Sequence, residues 1–180
     1  QHGFTVTVIE HAVPAPFVAD GQPDVRISAI SSASVSLLKG LGVWDTVQGM
    51  RSHPYRRLET WEWENAHVMF DAAELKLPLL GYMVENTVLQ QALWQALDVH
   101  PKVTLRVPAS LISLHQHNDR HELELAGGEK ISAKLVIGAD GANSQVRKMA
   151  GIGIHAWQYA QSCMLITVQC ENSPGDSTWQ

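Results

Sequence analysis

The sequence predicts an α/β fold, and three observations carry that expectation. Phe4 to Ile9 and Leu135 to Gly138 are continuous apolar runs, the pattern of parallel strands buried on both faces. Between them, Val35, Leu38 and Leu41, and again Leu89, Leu93, Ala96 and Leu97, recur at helical spacing. Three short segments separated by Asn118-Asp119-Arg120 and Gly127-Gly128 add a β-meander. Hydrophobic residues make up 45% of the 180 and charged residues 17%, a balance that excludes disorder. Thirteen Lys+Arg against 18 Asp+Glu leave a formal charge of −5, too acidic for a general nucleic-acid binder.

Each element follows in order. Gln1-His2-Gly3 leads directly into the first apolar run, and a glycine in that place usually closes a preceding helix, so the chain reads as an internal fragment. Residues 11–25 hold three prolines and a glycine and read as a loop. Ser31 or Ser32 then caps a helix that Gly42 ends. From Leu58 to Phe70 the pattern alternates, with Leu58, Thr60, Glu62 and Glu64 opposing Trp61 and Trp63, which predicts an antiparallel strand of another layer. Pro78 to Gly81 breaks that pattern, and Asn86 opens the second helix. Ser110 to His117, Glu122 to Leu125 and Lys130 to Ala133 form the meander and feed the strand at Leu135. Ser162 to Gln169 is strand-like and leads into the loop 172–176.

The remaining residue types narrow the chemistry. No apolar run approaches the roughly 18 residues of a membrane-spanning helix, so any membrane contact is expected to be peripheral. Cys163 and Cys170 stand seven apart, which fits neither a zinc knuckle nor a redox pair and places them on opposite faces of a strand. Two free thiols in a reducing compartment are expected. His115 and His117 share a strand face beside a polar turn and read as a solvated edge, so no metal is expected. Trp61, Trp63 and Trp157 could line a pocket, but core packing is their plainer role.

Two places could hold a nucleotide. Glu10 ends the first apolar run, where a carboxylate can accept hydrogen bonds from ribose hydroxyls; a solvated strand end is the competing reading. The run from Val136 to Arg147 turns from a predicted strand through Gly138 and Gly141 into a short helix, where free N–H groups favour an anion. Asp140 in that turn could accept bonds from a sugar or ribityl chain, or could cap the helix. Arg147 could likewise be only a solvated charge.

Gly138-Ala139-Asp140-Gly141-Ala142-Asn143-Ser144 with Arg147 resembles the internal Asp-Gly motif of the single-component aromatic-ring flavin monooxygenases, whose best-known fold is that of para-hydroxybenzoate hydroxylase. Asp24 to Ile30, Leu41-Gly42-Val43-Trp44, and Val84-Glu85-Asn86 followed by Ala92-Leu93-Trp94 resemble the ubiquinone-biosynthesis hydroxylases of that family. The resemblance runs essentially the full length of the chain. It implies an FAD-binding Rossmann-like domain with a β-meander, plus part of an antiparallel-sheet substrate domain. Residues 1–52 and 85–155 would belong to the FAD-binding domain, and 53–84 and 156–180 to the substrate domain.

Carried over residue by residue, the resemblance implies that Glu10 binds the adenosine ribose of FAD and that Arg26 lies along its phosphate and ribityl side. Asn86 would stand near the ribityl chain, and is equally placed to cap its helix. Asp140 and Gly141 would meet the ribityl and pyrophosphate region, with the same turn engaged in NAD(P)H use. No catalytic residue is assigned. The implied reaction is reduction of FAD by NAD(P)H and transfer of one oxygen atom from O2 to a polyprenylated benzoquinol ring. A polyprenyl tail implies substrate drawn from the inner membrane, hence a cytoplasmic protein in peripheral contact with that surface, with other ubiquinone-biosynthesis proteins as partners. The family's N-terminal glycine-rich turn and later Gly-Asp segment have no counterpart in these residues, so the isolated chain is expected to be catalytically inert. The competing enzyme class is a nucleotide-binding α/β methyltransferase, which also places an acid at a strand end; the Asp-Gly-x-x-Ser-x-x-Arg run argues against it.

Overall fold

The computed structural model describes residues 3–173 and 175–180; Gln1, His2 and Pro174, expected from the sequence before the first strand and in the loop 172–176, lie outside the described residues. In chain order the elements are β1 (Val6–Ile9), β2 (Ile27–Ser31), α1 (Ser32–Gly40), α2 (Trp44–Met50), β3 (Ser52–Tyr55), β4 (Arg57–Trp61) and β5 (His67–Asp71). Then come β6 (Gly81–Glu85), α3 (Asn86–Asp98), β7 (Val103–Arg106), β8 (Leu111–Gln116), β9 (His121–Leu125), β10 (Lys130–Ala133), α4 (Gln145–Met149) and β11 (Ser177–Trp179). They form two compact units, one of the chain up to Val13 with Pro101–Cys163, the other of Pro14–His100 with Met164–Gln180.

In the first unit β1 and β7 form a parallel pair, and β8, β9 and β10 form the predicted antiparallel meander in the order β10-β9-β8. Leu123 and Leu125, two apart on β9, point to one face and are its buried apolar residues. The expectation for Phe4 to Ile9 is corrected in part. Its strand exists, but Val6 and Thr7 are exposed and Val8 and Ile9 half-buried, so its side chains are not covered as those of a fully buried parallel strand would be. The expectation for Leu135 to Gly138 is corrected outright. No strand forms there, and Leu135 and Ile137 are 72% and 77% exposed. Apolar composition does not make a strand without a neighbour to accept its hydrogen bonds, and among the described residues this run has none.

The second unit carries the larger core. Val35, Leu38, Val43, Trp44, Val47, Val84, Val88 and Ala92 cluster from α1, α2, α3 and β6. The predicted cap of α1 is Ser31, whose hydroxyl accepts from the Ser34 N–H at 3.3 Å. The helix ends as predicted at Gly42, with φ of +73°. Strand β6 is central in the order β2-β6-β3, antiparallel to both neighbours. At its first residue, Gly81, a Cβ would run into the Ile30 carbonyl oxygen and lie 3.1 Å from the Tyr55 ring. Only glycine fits between those two strands.

The alternating run 58–70 is a hairpin of two strands, β4 and β5, with β11 parallel to β4 on the other edge. Its tryptophans correct the packing expectation: Trp61, Trp63 and Trp157 are exposed. Ser162 to Gln169 is an exposed irregular segment rather than a strand, so Cys163 and Cys170 are exposed free thiols without the opposed faces a strand would impose. Among the described residues no helix is long and apolar enough to cross a membrane.

Candidate functional site

Glu10 directly follows β1, at the carboxyl end of a parallel strand, where open α/β sheets place their ligands. Its N–H donates to the Arg106 carbonyl at 3.0 Å and its carbonyl accepts from the Ala109 N–H at 2.8 Å, so the backbone here is tied to the chain leaving β7. One carboxylate oxygen, Oε1, accepts from the His11 N–H at 2.7 Å and the Ala12 N–H at 3.3 Å and stands 2.9 Å from His11 Nδ1. Slight desolvation pushes this carboxyl up. The His11 side chain and the two amides outweigh it and hold the group below its ordinary value. Glu10 is therefore an anion at neutral pH, and its second oxygen is left to accept.

The Asp140 turn is built from its own polar residues. The Ser144 hydroxyl donates to Asp140 Oδ1. The N–H groups of Gln145 and Val146 donate to Oδ2 at 2.6 and 3.1 Å, and Ser144 Oγ accepts from the Arg147 N–H at 2.9 Å. The Ser144 hydroxyl first, and then the Val146 amide, hold the Asp140 carboxyl below its ordinary value. Arg147 Nη1 donates to the Ala142 carbonyl at 3.1 Å. Ser144 holds the cap position of α4, and the Asp140 carboxylate accepts from the N–H groups of the first two residues of that helix. Gly141 has φ of +78° with no atom within 4 Å of where a Cβ would stand, so its backbone is open to a ligand. At Gly138 a Cβ would lie 3.1 Å from the Val146 side chain, a tight contact between turn and helix.

In the other unit the structure brings Arg26 and Asn86 together. The Arg26 carbonyl accepts from the Asn86 N–H at 2.9 Å, and the Arg26 N–H donates to Asp24 Oδ1 at 2.9 Å. The Arg26 guanidinium is exposed and has no ion pair among the described residues. Asn86 does not cap its helix. Glu85 holds the cap position of α3, and Asn86 Oδ1 instead accepts from the Ser28 hydroxyl at 2.6 Å, tying the helix start to β2.

Sequence reasoning missed Arg51 and Glu85. The Glu85 side chain is buried, and its Oε1 accepts from Arg51 Nη1 at 2.9 Å while its Oε2 accepts from the Asp24 N–H at 2.7 Å. Arg51 Nη2 donates to the carbonyls of Ala19 and Gly21 at 2.7 and 3.1 Å, and the guanidinium sits 5.3 Å from the Phe17 ring centroid. Phe17, Asp24, Arg51, Glu85, Thr87 and Gln90 line an open cavity of about 360 Å³. A carboxylate closing the apolar run 81–84 was the available signal for Glu85; Arg51 had none.

Each unit taken by itself carries groups of the kind that bind nucleotides: in one, the carboxylate acceptor of Glu10 and the open glycine backbone of Gly141; in the other, the uncommitted cation of Arg26 and the amide donors of Asn86.

The family described as FAD binding domain matches residues 1–179. The chain is 87% identical over 180 residues to the 3-demethoxyubiquinol 3-hydroxylase of Escherichia coli K12, covering 100% of this chain and 46% of that protein. It is 38% identical over 174 residues to the ubiquinone hydroxylase UbiL of Rhodospirillum rubrum, covering 96% of this chain and 40% of that one. The chain thus spans about half the length of the curated relatives it matches. Among solved structures, p-nitrophenol 4-monooxygenase PnpA from Pseudomonas putida superimposes with a TM-score of 0.64 at 20% identity, over 83% of this chain and 38% of that one, a likeness of fold. The methyltransferase expectation, carried by Glu10 alone, finds no support in these comparisons.

Proposed function

The chain belongs to the FAD-binding-domain family, and from that premise we propose that the protein carrying it is a flavin-dependent monooxygenase that hydroxylates a polyprenylated benzoquinol ring in ubiquinone biosynthesis. The observation that carries this reading is the 87% identity, over 180 residues, to the 3-demethoxyubiquinol 3-hydroxylase of Escherichia coli K12. NAD(P)H as reductant and O2 as oxygen source belong to the proposal. So do peripheral contact with the membrane that holds the polyprenyl substrate, the assignment of 1–52 and 85–155 to flavin binding and the assignment of 53–84 and 156–180 to the substrate side.

Within this reading Glu10 accepts from the adenosine ribose through its second carboxylate oxygen. Arg26 offers its guanidinium to the phosphate and ribityl side, and Asn86 its amide N–H groups. Gly141 presents open backbone, while Asp140 holds the turn that carries it. When bound, FAD supplies the redox and oxygen chemistry, and the protein contributes binding, orientation and exclusion of water.

That the isolated chain holds FAD weakly and is inert belongs to the same proposal. A visible absorption spectrum tests this, taken on the chain extended to the length of its curated relatives and on this chain after incubation with FAD. A flavin band in the extended protein, with turnover of a benzoquinol and NAD(P)H, supports the proposal. No flavin in either protein, even with FAD added, overturns it.

A further inference from the structure

We propose that Arg51 and Glu85 form a clasp whose task is to position Arg26 for the flavin nucleotide; the proposal rests on the reading of Arg26 as a phosphate-side ligand. The argument starts from cost. A buried carboxylate is expensive unless paired and hydrogen-bonded, and an apolar pair of the same volume is often as stable, so stability alone does not account for Glu85 at 7% exposure. What the pair does that an apolar pair cannot is hold backbone.

Residues 19–26 have no regular structure until β2 begins at Ile27. Three of their backbone groups are gripped by the pair: the carbonyls of Ala19 and Gly21 by Arg51 Nη2, and the N–H of Asp24 by Glu85 Oε2. The remaining bond, from Arg51 Nη1 to Glu85 Oε1, locks the two side chains to each other at 2.9 Å. Asp24 passes the constraint on, because its Oδ1 accepts from the Arg26 N–H, and the Arg26 carbonyl accepts from the Asn86 N–H. The clasp therefore reaches Arg26 from both sides: through Asp24 along the loop, and through Glu85, the residue next to Asn86. Its geometry needs a planar fork with separate donors for a carboxylate and for two carbonyls, which arginine has and lysine lacks. Arg51 touches no proposed cofactor ligand directly, and so is a positioning residue.

The test uses the chain extended to the length of its curated relatives, with FAD affinity read by quenching of flavin fluorescence and loop order read by amide hydrogen exchange without FAD. Arg51→Met is expected to speed exchange of amides 19–26 while leaving those of α3 unchanged, and to weaken FAD binding about tenfold. Arg51→Lys is expected to fall between, since it keeps the charge opposite Glu85 and loses the fork. The decisive comparison is the cycle with Arg26→Ala: if Arg51 acts through Arg26, the effect of Arg51→Met on FAD affinity disappears in that background, whereas a merely structural effect persists. Should Arg51→Met fail to fold, Glu85→Gln takes its place in the cycle, because it keeps a carbonyl acceptor for Asp24. A loosened loop with unchanged FAD affinity, or additive effects in the cycle, overturns the clasp and leaves the flavin reading standing. Wild-type FAD affinity in Arg26→Ala overturns the reading beneath it.

Discussion

Replacing Gly81 by alanine puts one methyl group between two paired strands. Gly81 pairs with Ser31 of β2 on one side and Tyr55 of β3 on the other. The new Cβ would collide with the Ile30 carbonyl oxygen, and backbone cannot rotate away as a side chain can. Relief requires β6 to part from β2, which strains the adjacent Ser32 N–H to Leu80 carbonyl bond, now 3.1 Å. Overpacking of this kind costs about 1–3 kcal/mol, and one stretched or lost backbone bond adds about 1 kcal/mol, so a loss of about 2–4 kcal/mol is expected. With a urea slope of about 2 kcal/mol/M, the unfolding midpoint falls by about 1–2 M. Far-UV circular dichroism in urea measures this. Gly49→Ala serves as the control, since Gly49 lies in α2 with nothing within 4 Å of a new Cβ; it is expected to stabilise by about 0.5–1 kcal/mol. A Gly81→Ala midpoint within about 0.2 M of wild type would refute the account of β6 as a strand that only glycine can start.

Other expectations are more local. Asp140 has a carboxyl held below its ordinary value, so what it contributes to stability is complete above the unfolded value of about 3.9 and is lost as pH falls through the lower folded value. A carboxyl-carbon NMR titration should show that low midpoint, and Ser144→Ala should move it back up; an unmoved midpoint would remove Ser144 as its main cause. Ser31→Ala deletes the side-chain cap of α1 and should cost about 1 kcal/mol in the same urea assay. Asp140→Ala in the extended protein should lower flavin retention by releasing the turn that presents Gly141; full flavin content in that variant would sink the assignment.

Much of the fold was legible locally. Helix α1 with its serine cap and closing glycine, α3 with its apolar stripe, and the meander joined by one turn tripeptide and one dipeptide each depend on neighbours in sequence. Strands β3, β7 and β11, of 4, 4 and 3 residues, were not legible, because they lack the unbroken β-branched run that marks β1 and the Gly-Gly turn that marks β10. The site divided in the same way. Glu10 and the Asp140 turn could be found because a strand-end acid and an Asp-Gly turn announce themselves in sequence, and Arg26 and Asn86 because the segments around them resemble a known family. Glu85 carried a strand-end signal that went unread, whereas Arg51, 34 positions away, has none, and their pairing is visible only in the structure.

What the sequence determined by itself was therefore periodic, capped or turn-forming, together with membership of a flavin-binding family. Tertiary structure alone decided which apolar runs became strands. Leu135 to Gly138 looked like the most buried strand in the chain, yet it is exposed coil, because a strand is a relation between two segments and this one has no ladder partner among the described residues. The same holds for Asn86, which was placed to cap its own helix and instead accepts from Ser28, 58 positions away. Both outcomes turn on hydrogen bonds between distant segments, and those are settled by packing rather than by any local pattern of residues.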